Sequence, residues 1–302
     1  MAYHVPALLN ESIDGLNIRP DGTYVDLTFG GGGHSRAIVE RLGPKGRLLA
    51  FDRDLDALRN AIDDPRFCLI RGNFQYFHNF LGFRNIEHVD GILADLGLSS
   101  HHLDSPERGF AFSHNGPLDM RMNRQARLSA RDVLTTYPEE QLAQLLRTYG
   151  ELDGAHRIAR RIAEARERME LNDASDLVAA LEPIVPTLQR NKTLAQVFQA
   201  IRIEVNHELD ALRAMLHGAG RALRVGGRLA VISYHSLEDR MVKNYLRTGS
   251  PDGLDGRDTL TGVGVRPPFE PVNRRVITPS PEEQAANSRS RSAKLRVGQR
   301  IA

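Results

Sequence analysis

The sequence predicts an α/β fold: a Rossmann-like, mostly parallel sheet interrupted by an inserted all-α domain. Three observations predict it. Strand and helix patterns alternate from about residue 22 to 98, a helical pattern replaces them from about 109 to 206, and strand patterning then resumes. With 302 residues and 41% hydrophobic content, the chain can bury one large core or two modest ones.

Taken in order, TYVDLTF reads as a short buried strand, followed by four glycines, Gly30 to Gly33, and a helix from about Ser35 to Leu42. GPKG punctuates that helix, and RLLAFD is the second strand. A helix is predicted over Leu55–Ile62, stopped by DDP; RFCLI is the third strand and VDGILAD the fourth. Strands joined by short helices imply βαβ units and a parallel sheet.

The stretches SARDVLTTYPEEQLAQLLRTYG and GAHRIARRIAEARERM are helical in period, with Ser129 and Ser175 as predicted N-caps. The helix NHELDALRAMLHGAGRAL then runs into Gly226-Gly227 and the apolar run RLAVISYHS. The tail AANSRSRSAK is expected to be loosely ordered, and AKLRVGQR to form a last edge strand. The sheet domain is therefore read as residues 1–108 with 207–302, and the helical insertion as 109–206, a size that can hold its own core.

Composition narrows the class of protein. Apolar stretches are broken by charges well before the roughly 18 residues that a membrane span needs. The start, MAYHVPALLNES, lacks the basic and apolar regions of a signal peptide, so a cytoplasmic protein without a membrane partner is expected. The single cysteine, Cys68, allows no internal disulfide and no metal cluster. Net charge is only +2, but eight Lys/Arg against three acids fall between Arg266 and Ala302, and five arginines between Arg157 and Arg168. Such clusters suit phosphates; they equally suit a solvated face.

Open parallel sheets bind ligands beyond the carboxyl ends of their strands. Asp26, Asp52 and Asp95 fall at three such ends, in register with the glycine loop. The loop lets a ligand approach the backbone and leads into a helix N-terminus, whose free N–H groups favour an anion. Asp52 stands where an acid accepts hydrogen bonds from ribose hydroxyls, and Phe74, after the third strand, is placed either to stack on adenine or to fill the core. A nicotinamide dinucleotide would use a similar glycine-plus-acid pair. The G-x-G-x-x-G form fails, however, because the third position is Ser35 or Arg36, and no phosphate loop G-x-x-x-x-G-K-[ST] occurs. The Gly226-Gly227 entry into RLAVIS resembles that of Rossmann-like methyltransferases and favours S-adenosylmethionine.

On the acceptor side, Cys68 lies inside a strand, which disfavours cysteine-dependent carbon methylation and favours a nitrogen or oxygen acceptor. An exocyclic amine needs an acceptor for its N–H groups. Asp95 opens DLGLSS, with Ser99 and Ser100 beside it, and His235 in SYHS is either a proton acceptor or a structural histidine.

These stretches carry a family resemblance that runs nearly end to end. HVPALL, GLNIRPDGTYVDLTFGGGGHS, GRLLAFDRD, DPRF, DGILADLGLSS, ERGFAFSHNGPLDMRM, TYGE, AQVFQAIRIEVNHEL, GGRLAVISYHSLEDR and NSRSRSAKLR together resemble the bacterial ribosomal RNA small-subunit methyltransferase H family. The resemblance implies a class I S-adenosylmethionine methyltransferase sheet with a helical insertion for RNA recognition. It also implies N4-methylation of cytidine 1402 in the 16S ribosomal RNA of the 30S subunit. Donor contacts implied by the family are Gly32, Gly33, His34, Asp52, Phe74, Asp95 and a position usually glutamine, here His102. Ala7 replaces a usual valine. The acid-or-asparagine-Pro-Pro-aromatic motif of DNA amino-methyltransferases is absent, so catalytic roles fall to Asp95, Ser99 and His235 in this reading. The arginine and aromatics of GFAFSHNGPLDMRM read either as an RNA clamp or as a packed hinge. A target cytosine held in folded RNA must leave its stack. The oligomeric state is open, a homodimer being one compatible form. Two rivals stand beside this reading: a nicotinamide-dependent oxidoreductase, and a ribosome-assembly factor that binds adenosylmethionine without turnover.

Overall fold

The computed structural model describes residues 6–99, 103–253 and 267–302. The chain divides into two compact units, residues 1–97 with 209–302, and residues 98–208.

The first unit is built on a seven-stranded sheet in the order β3-β2-β1-β4-β5-β7-β6. β1 (Thr23–Asp26), β2 (Arg47–Asp52), β3 (Phe67–Arg71), β4 (Val89–Asp95) and β5 (Leu223–Ser233) pair in parallel, while β7 (Lys294–Arg300) runs antiparallel between β5 and β6 (Phe269–Pro271). Side chains alternate across these strands with period two. Tyr24, Leu48, Leu93, Ala230, Ile232 and Leu295 enter one apolar cluster with residues of α1 (Leu9–Leu16) and α2 (Gly33–Arg41). Val25, Leu49, Phe51, Ile92, Ala94 and Val231 enter a second, with α3 (Phe77–Phe83) and later helices. Both faces are buried, which is why these strands read as near-continuous apolar runs. Because β1 lies between β2 and β4, the connections diverge there, and a crevice opens beyond the carboxyl ends of β1 and β4.

Four local expectations are corrected. Instead of a helix over Leu55–Ile62 there is a single 3-10 turn, Ala57–Asn60. Asp52 and Asp54 side chains accept the amides of Asp54 and Asp56, at 2.8 and 3.1 Å, and this local bonding competes with helix formation. The tail is ordered: Ser280 caps a helix at Pro281–Ala286, a 3-10 turn spans Ser288–Ser292, and Ser290 is buried. Its order comes from caps and turn bonds, which an apolar count does not register; Glu283 also accepts the Leu8 amide at 2.8 Å. Strand β7 is interior, because the short β6 covers its outer edge. Finally, Ser175 lies within the helix Ala174–Leu181, whose N-cap is Asp173. Asp176 returns the capping-box bond to the Asp173 amide at 2.9 Å, and only this register puts an acid three residues after the cap.

The second unit is helical, with α4 (Ala130–Thr136), α5 (Glu139–Gly150), α6 (Ala155–Arg166), α7 (Ala174–Leu181) and α8 (Arg190–Asn206). Ser129 caps α4 in a capping box with Asp132, as its sequence predicts. The core gathers Val133, Leu142, Leu146, Ile158, Ile162, Leu177, Phe198 and Ile201 from all five helices. The preceding loop is clamped by two buried polar side chains. Asn206 accepts the Met122 amide at 2.8 Å and donates to the Met120 carbonyl at 2.7 Å. Arg108, 1% exposed, donates to the carbonyls of Arg121 and Met122 at 3.1 Å each. Together they hold Met120 at a φ of 55°, left-handed backbone that a lone methionine would avoid.

The arginine clusters divide accordingly. In α6, Arg157, Arg161 and Arg166 donate to the carbonyls of Ile184, Ala180 and Tyr137, satisfying groups at helix ends. In the tail, Arg296 makes a two-pronged pair with Asp239 at 2.7 and 3.0 Å. Among the described residues no helix is long and apolar enough to cross a membrane.

Candidate active site

The carboxyl ends of β1, β2 and β4 deliver Asp26, Asp52 and Asp95, and α2 starts directly after the glycine turn. Gly30 and Gly32 hold φ values of 51° and 79°, so the chain reverses into the helix through left-handed backbone. At Gly30, a Cβ would meet nothing within 4 Å, whereas at Gly32 it would come within 2.9 Å of the Phe29 ring and at Gly33 it would overlap Pro6, so the turn is open at Gly30 and packed at the other two. No side chain caps α2 and no acid stands in its first turn, which leaves its positive end available to an anion.

Asp26 braces this turn. It is 1% exposed, accepts the Ser35 hydroxyl at 2.6 Å and the Thr28 amide at 3.0 Å, and so closes residues 26–35 into a loop. Burial pushes its carboxyl up to about 6 against those hydrogen bonds, with Asp52 adding repulsion. Asp52 is half-buried; its Oδ2 accepts the Gly30 amide at 2.8 Å and its Oδ1 the Asp54 amide at 2.8 Å. A carboxylate is an acceptor through both oxygens, the chemistry that a vicinal diol needs. Its backbone carbonyl accepts the Gly72 amide at 2.8 Å, drawing the end of β3 to the same edge. Phe74 follows, half-buried against the apolar cluster beneath.

Asp95 ends β4, between β1 and β5, with 22% of its side chain exposed. Its amide donates to Thr28 Oγ1 at 2.6 Å, and its Oδ1 accepts the Tyr234 hydroxyl at 2.9 Å. Oδ2 lies 3.7 Å from His34 Nδ1, beyond hydrogen-bonding distance. Burial raises the Asp95 carboxyl to about 7; the Tyr234 hydrogen bond opposes this, and the charges of Asp26 and Glu238 add to it. His34 is 6% exposed and burial pushes it down to about 4, so its ring is neutral near pH 7. Its Nε2 is buried without a protein partner, an orphaned polar atom beside the crevice.

The first unit thus brings together Gly32, Gly33, His34, Asp52, Phe74 and Asp95. His235, whose side chain is 8% exposed, directs Nε2 to Glu238 Oε1 at 3.2 Å, and it is the neighbouring Tyr234 that reaches Asp95. Ser99 belongs to the second unit, and Ser100 and His102 lie outside the described residues. Cys68 lies within β3, paired with Leu49. In the second unit, Arg121 pairs with Asp119 at 2.7 Å and Phe112 packs edge-on against Phe198 at 5.8 Å, so these two side chains of GFAFSHNGPLDMRM are packed, as is Arg108 just before the stretch.

Sequence reasoning passed over Tyr234 and Thr28. No local pattern signals either: Leu96 donates its amide to the Ile232 carbonyl, and it is this pairing of β4 with β5 that brings DLG and SYH to the same level. Chemically, the arrangement offers a helix start for an anion, an acid for a diol, and a low-lying carboxylate suited to a cation or an N–H group.

The family described as the MraW methylase family matches residues 1–301 of the chain. Proteins called ribosomal RNA small subunit methyltransferase H are similar along their length. That of Bacteroides fragilis is 52% identical over 298 residues, 99% of this chain and 97% of that protein. The one from Bacteroides thetaiotaomicron is 52% identical over 300 residues, covering 99% and 98%. A third, from Flavobacterium johnsoniae, is 49% identical over 301 residues, covering 100% and 99%.

Proposed function

The chain belongs to the MraW methylase family, and from that membership we propose that it methylates 16S ribosomal RNA from S-adenosylmethionine, at N4 of cytidine 1402. The observation that carries the reading is the coincidence, at one switch point, of a left-handed glycine turn, the Asp52 carboxylate and the Asp95 carboxylate. The residues fit the donor. The uncapped start of α2 suits its methionine carboxylate, with Gly32, Gly33 and the unpartnered Nε2 of His34 alongside. Asp52 suits the ribose hydroxyls and Phe74 the adenine. His102 is a further proposed donor contact. When bound, adenosylmethionine supplies an electrophilic methyl group on a cationic sulfur.

The protein's part is alignment and electrostatics. Positioning of reacting groups is worth about 7–11 kcal/mol of a barrier. Asp95, at the end of β4, accepts an N–H of the cytosine amino group in this reading. That shifts electron density onto a nitrogen whose lone pair is otherwise drawn into the ring. Ser99 and His235 complete the proposed catalytic set. The helical unit is the proposed RNA-recognition part, acting on the 30S particle, with the target base turned out of its stack at a cost of a few kcal/mol.

Mapping the methylated nucleotide after reaction with unmodified 30S subunits and adenosylmethionine tests the whole reading. A single N4-methylated cytidine at 1402 is expected. Methyl groups elsewhere would displace the target, and no incorporation with intact donor binding would favour a non-catalytic assembly factor.

A further inference from the structure

We propose that Tyr234 is a positioning residue for methyl transfer: its phenolic hydroxyl holds one oxygen of Asp95 so that the other faces the acceptor amine. The proposal rests on the reading that Asp95 lies at the methyl-transfer site.

A carboxylate on a single Cβ–Cγ bond turns freely unless something holds it, and a turning acceptor is a poor aligner of a small amine. Asp95 is held at both ends. Its amide is tied to Thr28 Oγ1 at 2.6 Å and its Oδ1 to the Tyr234 hydroxyl at 2.9 Å. Tyr234 is itself fixed. Its amide donates to Glu238 Oε2 at 2.9 Å, and Glu238 is 3% exposed at the start of the helix Ser236–Thr248. Its ring lies against Gly97, where a Cβ would come within 2.9 Å of ring carbon Cδ2. Gly97 holds φ at 115°, so the glycine of DLG leaves room for this ring through backbone that other residues avoid. Burial raises the Tyr234 hydroxyl above its ordinary value, and the Asp95 charge adds to this, so it stays a donor throughout the working range. The groups facing Asp95 are Asp26 from β1, His34 from α2, and Tyr234 and Glu238 from the corner between β5 and the helix Ser236–Thr248. Of these, the Tyr234 hydroxyl is the one that lowers its proton affinity through a hydrogen bond.

That sign supplies the test. The full-length Tyr234→Phe protein keeps the ring and loses only the hydroxyl. Labelled-methyl incorporation into unmodified 30S subunits is followed from pH 6 to 9 at saturating adenosylmethionine. The acid limb of turnover is expected to move up by about one pH unit, giving a deficit of about tenfold at pH 6.5 that shrinks toward pH 9. Replacing Tyr234 by 3-fluorotyrosine, which preserves shape and donates a stronger hydrogen bond, is expected to move the limb the other way. A merely structural role would lower turnover equally at every pH. Such a uniform loss, or an unshifted limb in both variants, overturns the proposal. Asp95→Ala in the same assay separates the two levels: near-normal turnover there would remove Asp95 from the site, whereas its loss beside an unshifted Tyr234→Phe limb would overturn only the role of Tyr234.

Discussion

The Asp52 carboxylate accepts the backbone amide of Gly30 at 2.8 Å, so one hydrogen bond ties the end of β2 to a glycine 22 residues earlier. The same carboxylate holds the Asp54 amide, which keeps it pointing along the edge of the crevice. If it also receives the ribose hydroxyls, Asp52→Asn loses charge-assisted hydrogen bonds, each worth roughly 1.5–3 kcal/mol. Donor affinity is expected to fall at least about tenfold, read by isothermal titration with adenosylmethionine. Unchanged affinity would take Asp52 out of the donor site.

Asp26 and Asp95 give binding a pH dependence. Both carboxyls lie above their ordinary range, at about 6 and about 7. In the free protein, groups raised in this way contribute stability that is fully present below about pH 4 and is lost as pH rises through those values. His34, lowered to about 4, acts oppositely: its contribution is present above the usual histidine value and is lost as pH falls through about 4. The acids outnumber the histidine, so the melting temperature of the free protein is expected to decline as pH rises through about 6 to 7 and to level off roughly one unit higher. A cationic donor favours the ionised acids, so its affinity is expected to rise about tenfold from pH 6 to pH 8, with proton release on binding below pH 7. Calorimetry in two buffers of different ionisation enthalpy measures that release, and a flat affinity with none would contradict the coupling.

Asn206 bonds both sides of the left-handed Met120 turn in the helical unit. Asn206→Ala leaves the Met122 amide and the Met120 carbonyl without that partner in a buried place. The expected loss is about 2–4 kcal/mol of unfolding free energy, measured by urea denaturation of the full chain. A loss below about 0.5 kcal/mol would mean that water or a rearranged loop replaces the amide.

RNA binding, if it uses the helical unit, must draw on cations left exposed there. Arg127 and Arg131 are exposed, in contrast to the buried Arg108 and the paired Arg121. Changing both to glutamine is expected to weaken binding to 16S ribosomal RNA and to lower the slope of log affinity against log salt by about one to two. An identical slope would place the phosphate contacts elsewhere.

Much was legible before any coordinates. Strands β1 to β4 announced themselves because both faces of a parallel sheet are buried, and Gly30, Asp52 and Asp95 are visible as a turn and two strand ends in regular βαβ order. The Ser129 cap needed only four consecutive residues. What local pattern could not decide was which side chain meets which across long stretches of chain. The sequence alone could pick out SYHS, but only the pairing of β4 with β5 decided that Tyr234, not His235, turns to Asp95 from 139 residues away. It could count arginines in α6, but only packing decided that Arg161 and Arg166 serve helix-end carbonyls. Periodicity reports which face of an element is apolar; a hydrogen bond between distant residues depends on the register that the folded core imposes.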